Sequence, residues 1–243
     1  MSDFYSVLAA HYDELFGCDD ATVAFLSEEG AVAGARVLDV ACGTGACTRA
    51  LLDRRVDAYG TDLSSRMIEL AKEKAHDAGI DQSRFSVADM LETAAHPCVP
   101  FGLVFCIGNS IAHLDSLDDV GRFVRAAATA LGAEDGRLVL QYVDVEALGV
   151  GETFELPDLT GQAAAMRRAY HRESTSRIRF DAELTVRGEA TQTISQRLLV
   201  IPTDELSRLV KQAGFSSLAV HGGFDRAPGD RGRWVRVVVA ALS

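Results

Sequence analysis

The chain has 243 residues, of which 48% are hydrophobic and 24% are charged. This composition is typical of a globular protein with a full hydrophobic core, and it excludes a disordered chain. The 35 acidic residues outnumber the 24 Lys and Arg residues, which gives a formal net charge of -11, and the basic residues form no cluster. Because nucleic acids are bound through clustered basic side chains, we expect no nucleic-acid partner.

The beginning of the chain and its cysteines suggest a cellular compartment. Residues 1–16 contain Asp3, Asp13 and Glu14 but no Lys or Arg, which disfavours a secretory signal or a transit peptide. No apolar run is long enough to cross a membrane. We therefore expect a cytoplasmic protein that has no membrane partner. The five cysteines are odd in number and form no CxxC pair, so we expect reduced thiols rather than a disulfide or zinc framework. They are Cys18, Cys42, Cys47, Cys98 and Cys106.

The first half of the chain alternates short apolar runs with helical patterns, which is typical of βαβ units and a parallel sheet. Helices are predicted over 46–53 and after the capping residues Ser64 and Ser116. The run at 101–107 is almost wholly apolar, as expected for a central strand that is covered on both faces. The predicted strands are 36–40, 56–61, 85–87, 101–107 and 137–143.

A different pattern follows residue 144. Apolar and polar residues alternate strictly over 177–186, which predicts a half-exposed antiparallel strand. Partner strands are expected at 166–172 and 194–201, so a small antiparallel sheet should occupy roughly 160–200. Thr203 is then predicted to cap a helix that stops at Gly214, and the segments 215–221 and 234–241 should complete the sheet.

These elements predict an α/β fold with a doubly wound, mostly parallel, seven-stranded sheet. A small antiparallel β insertion is expected after strand five. In this prediction, residues 1–143 and 201–243 form the α/β domain and residues 144–200 form the insertion.

The most specific motif is the stretch from Asp39 to Gly45, Asp-Val-Ala-Cys-Gly-Thr-Gly, where a strand runs into a glycine turn and then a helix. Gly43 and Gly45 have no Cβ, so the backbone can approach a ligand closely. The N–H groups at the helix N-terminus would then favour an anionic group. A tight turn without a ligand is the alternative.

Two acidic residues follow the next two strands. Asp62 lies 23 residues after Asp39, close to the spacing at which an acid meets a ribose diol in doubly wound folds. Asp89 follows the third strand, where its carboxylate could accept a hydrogen bond from an exocyclic amine while Met90 covers a purine face. The carboxyl ends of parallel strands meet at one crevice, so these motifs converge.

The motifs Asp39–Gly45, Gly60–Ser64 and Ala88–Met90 resemble the successive cofactor motifs of class I S-adenosylmethionine-dependent methyltransferases. The resemblance implies a Rossmann-like methyltransferase fold in which the α/β domain binds S-adenosylmethionine and the insertion forms a substrate lid. It also implies that Asp62 binds both ribose hydroxyls and that Asp89 reads the adenine amine. The implied cofactor-binding residues are Tyr12, Asp39, Ala41, Cys42, Gly43, Gly45, Asp62, Leu63, Met67, Asp89, Met90, Ile107 and Gly108.

The segment Gly108-Asn109-Ser110-Ile111-Ala112-His113 is similar to the Gly-Asn-Ser-x-x-His signature of the glycine/sarcosine N-methyltransferase-like branch. This similarity implies catalytic roles for His113, Asn109 and Tyr5. A turn-forming Asn beside a packed His is the alternative. Glycine-methylating enzymes place an arginine just after the fifth strand, and the segment 141–145 has none, so the acceptor stays open.

We therefore predict methyl transfer from S-adenosylmethionine to a small-molecule acceptor, expected to be an amine, with S-adenosylhomocysteine as the product. No metal is expected, because no group of residues has metal-ligand spacing. A homo-oligomer is compatible with the sequence. Two alternatives remain open. One is an NAD-dependent dehydrogenase, although Thr48 replaces the third glycine of its fingerprint. The other is a cofactor-binding regulatory module without turnover.

Overall fold

The computed structural model describes residues 3–132, 135–229 and 234–243, with side chains from Val7 onward. Three helices precede the first strand: α1 (Asp3–Ala10), α2 (Tyr12–Phe16) and α3 (Asp20–Glu28). The next elements are β1 (Arg36–Val40), α4 (Ala46–Asp53), β2 (Asp57–Asp62), α5 (Ser65–Asp77), β3 (Phe85–Val87), β4 (Leu103–Cys106), α6 (Leu117–Leu131) and β5 (Arg137–Val143). The remaining elements are β6 (Thr153–Thr160), β7 (Ala164–Arg172), β8 (Arg177–Val186), β9 (Gln192–Leu199), α7 (Thr203–Gln212), β10 (Ser217–His221) and β11 (Val235–Ala241).

The main sheet has seven strands in the order β10-β11-β5-β4-β1-β2-β3. Strand β1 pairs in parallel with β2 and β4, and β11 is antiparallel to both β5 and β10. The predicted doubly wound, mostly parallel sheet is therefore confirmed. The strand order reverses direction at β1 and β4, and ligands of doubly wound folds bind at the carboxyl ends of the strands beside such a reversal.

Strand β4 explains the apolar run in the sequence. Its four residues are buried, and they alternate between two cores on opposite faces of the sheet. Val104 and Cys106 pack with α6, whereas Leu103 and Phe105 pack with the core beneath α3 and α4. A central strand that is covered on both faces has no solvent side, so its sequence shows no alternation.

The four strands β6-β7-β8-β9 form a separate antiparallel sheet. The predicted start near residue 160 and the three-strand composition are wrong, because β6 adds an edge strand at Thr153–Thr160. Its pairing with β7 shifts between Leu156 and Leu159, and Pro157 lies in that shift. Proline and bulges are tolerated at sheet edges, but they interrupt the alternation from which a strand is recognised.

The helix near residue 203 begins differently from the prediction. Pro202 occupies the capping position and Thr203 is the first helical residue. The Thr203 hydroxyl lies 2.6 Å from the Tyr142 hydroxyl on β5, so it bonds to the sheet instead of capping its own helix.

Candidate active site

The glycine turn lies between β1 and α4, at the carboxyl edge of the main sheet. Ala41, Gly43 and Gly45 have φ angles of 61°, 57° and 76°, in the left-handed region that favours glycine. A Cβ on Gly43 would lie 3.0 Å from the Tyr12 ring, and a Cβ on Gly45 would lie 2.4 Å from the Phe85 ring. The turn therefore depends on its glycines for both backbone conformation and space.

Asp62 connects this turn to the end of β2. Its Oδ2 accepts a hydrogen bond from the Gly43 N–H at 2.9 Å, and its Oδ1 accepts one from the Ser64 N–H at 2.8 Å. A carboxylate can accept about four hydrogen bonds, so acceptor capacity remains on both oxygens. Two neighbouring hydroxyls of a sugar could use that capacity. The structure brings Asp62 to the glycine turn, and its ribose-binding role stays a prediction.

Asp39 lies below the turn and is only 3% exposed. Its Oδ2 accepts a hydrogen bond from the Thr48 hydroxyl at 2.7 Å. Burial raises the pKa of Asp39 to about 7, the Thr48 bond opposes the rise, and the negative charge of Asp62 adds to it. The site thus has two acidic groups close enough to influence each other, which favours a cationic ligand.

The outer end of the site carries exposed apolar side chains. Leu63 follows β2 directly and is 71% exposed. Val87 is the last residue of β3, pairs with Asp62 and is 53% exposed. Asp89 lies two residues further along, and its Oδ1 accepts from the Leu91 N–H at 2.9 Å. Met90 instead packs half-buried against the main core. Leu63 and Val87 therefore offer more free apolar surface to a flat ring than Met90 does, and sequence reasoning missed Val87.

Helix α2, which we call the strap, covers the glycine turn. The Tyr12 ring lies close to Gly43. Burial, and to a smaller extent the negative charge of Asp62, raises the pKa of the Tyr12 hydroxyl. Glu14 Oε2 accepts hydrogen bonds from the backbone N–H groups of residues 162 and 163, at 2.8 and 3.2 Å. The strap thus contacts the glycine turn with one residue and the β6–β7 turn with another.

Asp13 fastens the strap to the α/β domain. Its carboxylate lies 2.7 Å from Arg49 Nη2 and 2.7 Å from Lys74 Nζ, and it accepts a short hydrogen bond from the Thr44 hydroxyl. Burial opposes ionisation, but the Lys74, Thr44 and Arg49 contacts together hold the pKa of Asp13 below its usual value. These partners lie 31 or more residues away in the sequence, so the sequence gives no signal of the cluster.

A second group of predicted site residues lies at the end of β4. Asn109 is 9% exposed and has a φ of 64°. The Val143 N–H donates to Asn109 Oδ1 at 2.9 Å, and Asn109 Nδ2 donates to the Tyr170 hydroxyl at 3.1 Å. Because both ends of the amide have protein partners, Asn109 is placed to position Tyr170. A role of Asn109 in turnover, exerted through the position of Tyr170, stays a prediction.

His113 ends a 3-10 turn, Ser110–His113, on the same side. Its side chain is accessible to solvent, yet desolvation by the surrounding protein lowers its pKa from 6.5, while the negative charge of Asp62 opposes this effect. Such an imidazole is neutral at pH 7 and can accept a proton. Tyr5 lies on α1, and its side chain falls outside the described part of the structure.

The remaining predicted ligand contacts differ in exposure. Cys42 and Met67 are half-buried, Ile107 is half-buried at the end of β4, and Gly108 is exposed. The Gly108 N–H donates to the Gln141 side chain. Gln141 therefore links β5 to the loop that follows β4.

The expectation that all cysteines are reduced thiols is wrong for one pair. Cys18 and Cys47 form a disulfide, with their Cα atoms 4.9 Å apart. Cys18 follows the strap and Cys47 lies in the first turn of α4. The two residues are 29 positions apart, so their contact depends on the fold and not on a local spacing. The thiols of Cys42, Cys98 and Cys106 are free, as expected.

Among the described residues, no cluster of His, Cys, Asp or Glu could hold a metal ion. Within the same ranges, no helix is both long and apolar enough to cross a membrane.

Comparisons with known proteins agree with this geometry. Residues 37–134 match the family described as "Methyltransferase domain". A search of curated proteins finds no match. An S-adenosylmethionine-dependent methyltransferase from Clostridium acetobutylicum has 19% identity, a TM-score of 0.78 and coverage of 99% of both chains. The CcbJ methyltransferase from Streptomyces caelestis has 22% identity and a TM-score of 0.79, over 97% of this chain and 96% of that chain. CalS10, an S-adenosylmethionine-bound amino pentose methyltransferase from Micromonospora echinaspora, has 22% identity and a TM-score of 0.72, over 98% of this chain and 97% of that chain.

Proposed function

We propose that this protein is a class I S-adenosylmethionine-dependent methyltransferase and that it transfers the methyl group to an amine of a small molecule. The main support is the position of Asp62 between the glycine turn and Ser64, with exposed Leu63 and Val87 beside it. A ribose diol fits the carboxylate, and an adenine ring fits the apolar pair. Each half of the nucleoside therefore has a matching protein group.

The buried acids and the strap suit the other half of the cofactor. When bound, S-adenosylmethionine supplies a methyl group that is activated by a positively charged sulfur and leaves S-adenosylhomocysteine behind. Asp39 and Asp62 provide negative charge near the turn that this cation favours. The strap lies over the turn, where it would shield a bound cofactor from water, so the protein mainly has to align the acceptor.

Two side chains are suited to handle an amine. An ammonium has no free electron pair, so the acceptor must lose a proton before its nitrogen can attack the methyl group and displace S-adenosylhomocysteine. His113 is accessible, and its lowered pKa leaves it free to take that proton, while Asp62 favours the resulting imidazolium. Burial raises the pKa of Tyr170 to about 12, so its hydroxyl keeps its proton and can donate to the acceptor.

The choice of an amine has two further supports. The segment Gly108–His113 is similar to the glycine/sarcosine N-methyltransferase-like branch, and the amino pentose methyltransferase CalS10 has a similar fold. Membership of that branch stays a prediction, because the segment 141–145 at the end of β5 has no arginine.

Titration calorimetry tests the cofactor. Asp62→Ala should weaken S-adenosylmethionine binding by roughly 1–3 kcal/mol, because it leaves ribose hydroxyls without a partner. Asp77→Ala is the matched control, since Asp77 is exposed at the end of α5. Melting temperatures identify a variant that has lost its fold. Release of S-adenosylhomocysteine with a panel of amines, amino sugars and hydroxyl compounds then tests transfer. Binding of NAD without binding of S-adenosylmethionine would refute the proposal.

A further inference from the structure

Arg168 carries a buried donor that has no partner among the described residues. It lies on β7 between Met166 and Tyr170, and the alternation of the strand places all three on the face that packs against the α/β domain. Its Nη2 donates to the Pro157 carbonyl at 2.9 Å, whereas its Nε is buried and makes no hydrogen bond within the described residues. An unpaired buried donor on a charged group is costly, so such a group is expected to have a ligand.

The neighbours of Arg168 place it beside the acceptor. Its guanidinium carbon lies 5.9 Å from the centre of the Phe16 ring on the strap. One turn earlier on the strap, Tyr12 lies close to Gly43. Two residues further along β7, Tyr170 bonds to Asn109 at the end of β4. Arg168 therefore lies between the strap, which covers the glycine turn, and Tyr170, which bonds to the end of β4.

The charge of Arg168 is also poorly compensated. Burial lowers its pKa, with Tyr170 and then Asp158 opposing this effect. No carboxylate of the described residues pairs directly with Arg168, whereas its neighbour Arg167 lies 3.8 Å from Glu183 on the opposite face. Asp158 is exposed, so it offers only a solvent-screened charge. Arginine has five N–H donors, and donors remain for a second partner.

We infer that Arg168 binds an anionic oxygen group of the methyl acceptor, a carboxylate or a phosphate. The inference rests on the proposed function, because it treats the surroundings of Arg168 as the acceptor site. An acceptor held at one end by Arg168 has its amine directed toward the glycine turn, which fixes its orientation for transfer. Arg168 is in this sense a residue that determines specificity.

Three amines with a two-carbon spacer test the inference: ethanolamine, β-alanine and phosphoethanolamine. They share the amine and differ in a neutral hydroxyl, a carboxylate or a phosphate, so the two anions are distinguished from each other. Glucosamine and its phosphate ester form a larger matched pair. Binding is measured by calorimetry on protein saturated with S-adenosylhomocysteine, and turnover is measured by release of S-adenosylhomocysteine. We expect at least one anionic probe to bind about tenfold or more tightly than its neutral partner, as for a charge-assisted hydrogen bond.

The variants separate recognition from folding. Arg168→Gln should abolish the preference for an anion, and Arg168→Lys should keep part of it, because lysine retains the charge but not the planar fork. Arg167→Gln, on the exposed face of the same strand, should retain the whole preference. Cofactor affinity should be unchanged in all three variants.

The failures of the two proposals are distinguishable. If the wild type binds S-adenosylmethionine but shows no preference within either probe set, the Arg168 inference is wrong and the proposed function stands. A preference that survives in Arg168→Gln would equally overturn it. If the wild type does not bind S-adenosylmethionine, the proposed function fails first.

Discussion

Asp39→Asn removes a buried charge and should stabilise the protein at neutral and higher pH. Burial raises the pKa of Asp39 from 3.8 to about 7. Each factor of ten in proton affinity is worth about 1.4 kcal/mol, so the ionised carboxylate costs the native state about 4 kcal/mol. Asparagine has nearly the same shape, and its carbonyl can still accept the hydrogen bond from Thr48. We therefore expect a gain of up to about 4 kcal/mol at about pH 8.

The pH dependence gives the prediction its sign. In strong acid, the carboxyl group is protonated in both the folded and the unfolded state, so it contributes no penalty. As the pH rises from 3.8 toward 7, the unfolded chain ionises first, and the native state loses stability relative to it. Above about pH 7 the loss is complete and constant. The wild type should thus lose stability over this window, and the variant should lose less.

Urea unfolding followed by circular dichroism at several pH values measures this difference. The exposed residue Asp77 provides the control, because Asp77→Asn removes a carboxylate that water already solvates. Parallel pH curves for the wild type and Asp39→Asn would refute the reasoning, as would a lower stability of the variant at about pH 8. We also expect Asp39→Asn to bind S-adenosylmethionine more weakly. The buried negative charge that destabilises the native state is the same charge that would attract the cationic sulfur of the cofactor.

Three other changes have expected outcomes. Asp13→Asn should increase hydrogen exchange in the strap, and the wild-type strap should loosen only as the pH falls below 3.8, because partners hold the pKa of Asp13 low. Cys18→Ser breaks the disulfide that closes a loop of 29 residues, and it should lower the free energy of unfolding in urea by about 3 to 4 kcal/mol. Reduction of the wild type with dithiothreitol should cause the same loss, whereas Cys98→Ser, which changes a free thiol, should not. His113→Gln should reduce turnover about tenfold and remove the loss of activity expected in acid below about pH 6.5. An acid limb that persists in His113→Gln would assign the titration to another group.

The sequence was informative where structure is local or periodic. Strand β4 could be predicted because burial on both faces produces an apolar run. The helix after Ser64 could be predicted because its capping bond spans only three residues, from the Met67 N–H to the Ser64 hydroxyl at 3.3 Å. The glycine turn and Asp62 could be placed together because parallel strands end at the same edge of a sheet.

Other features could not be predicted, because they depend on contacts between distant segments. Asp13 gains its partners only when the strap folds over Thr44, Arg49 and Lys74. The disulfide has the same origin, since a count and spacing of cysteines cannot report which helices pack together. Edge strand β6 was missed because a proline and a shift in pairing break its alternation.

The strap also explains why the cofactor motifs alone do not identify the acceptor. Its first residues contact the glycine turn, its Glu14 bonds to the β6–β7 turn, and its Phe16 lies against Arg168. One short helix therefore contacts both the wall that matches the cofactor and the wall formed by the insertion. The proposed cofactor wall is built from short motifs that follow successive strands, so the chemistry of each motif can be recognised directly. The proposed acceptor wall combines the strap, the end of β4 and the inner face of β7, and only folding brings their side chains together.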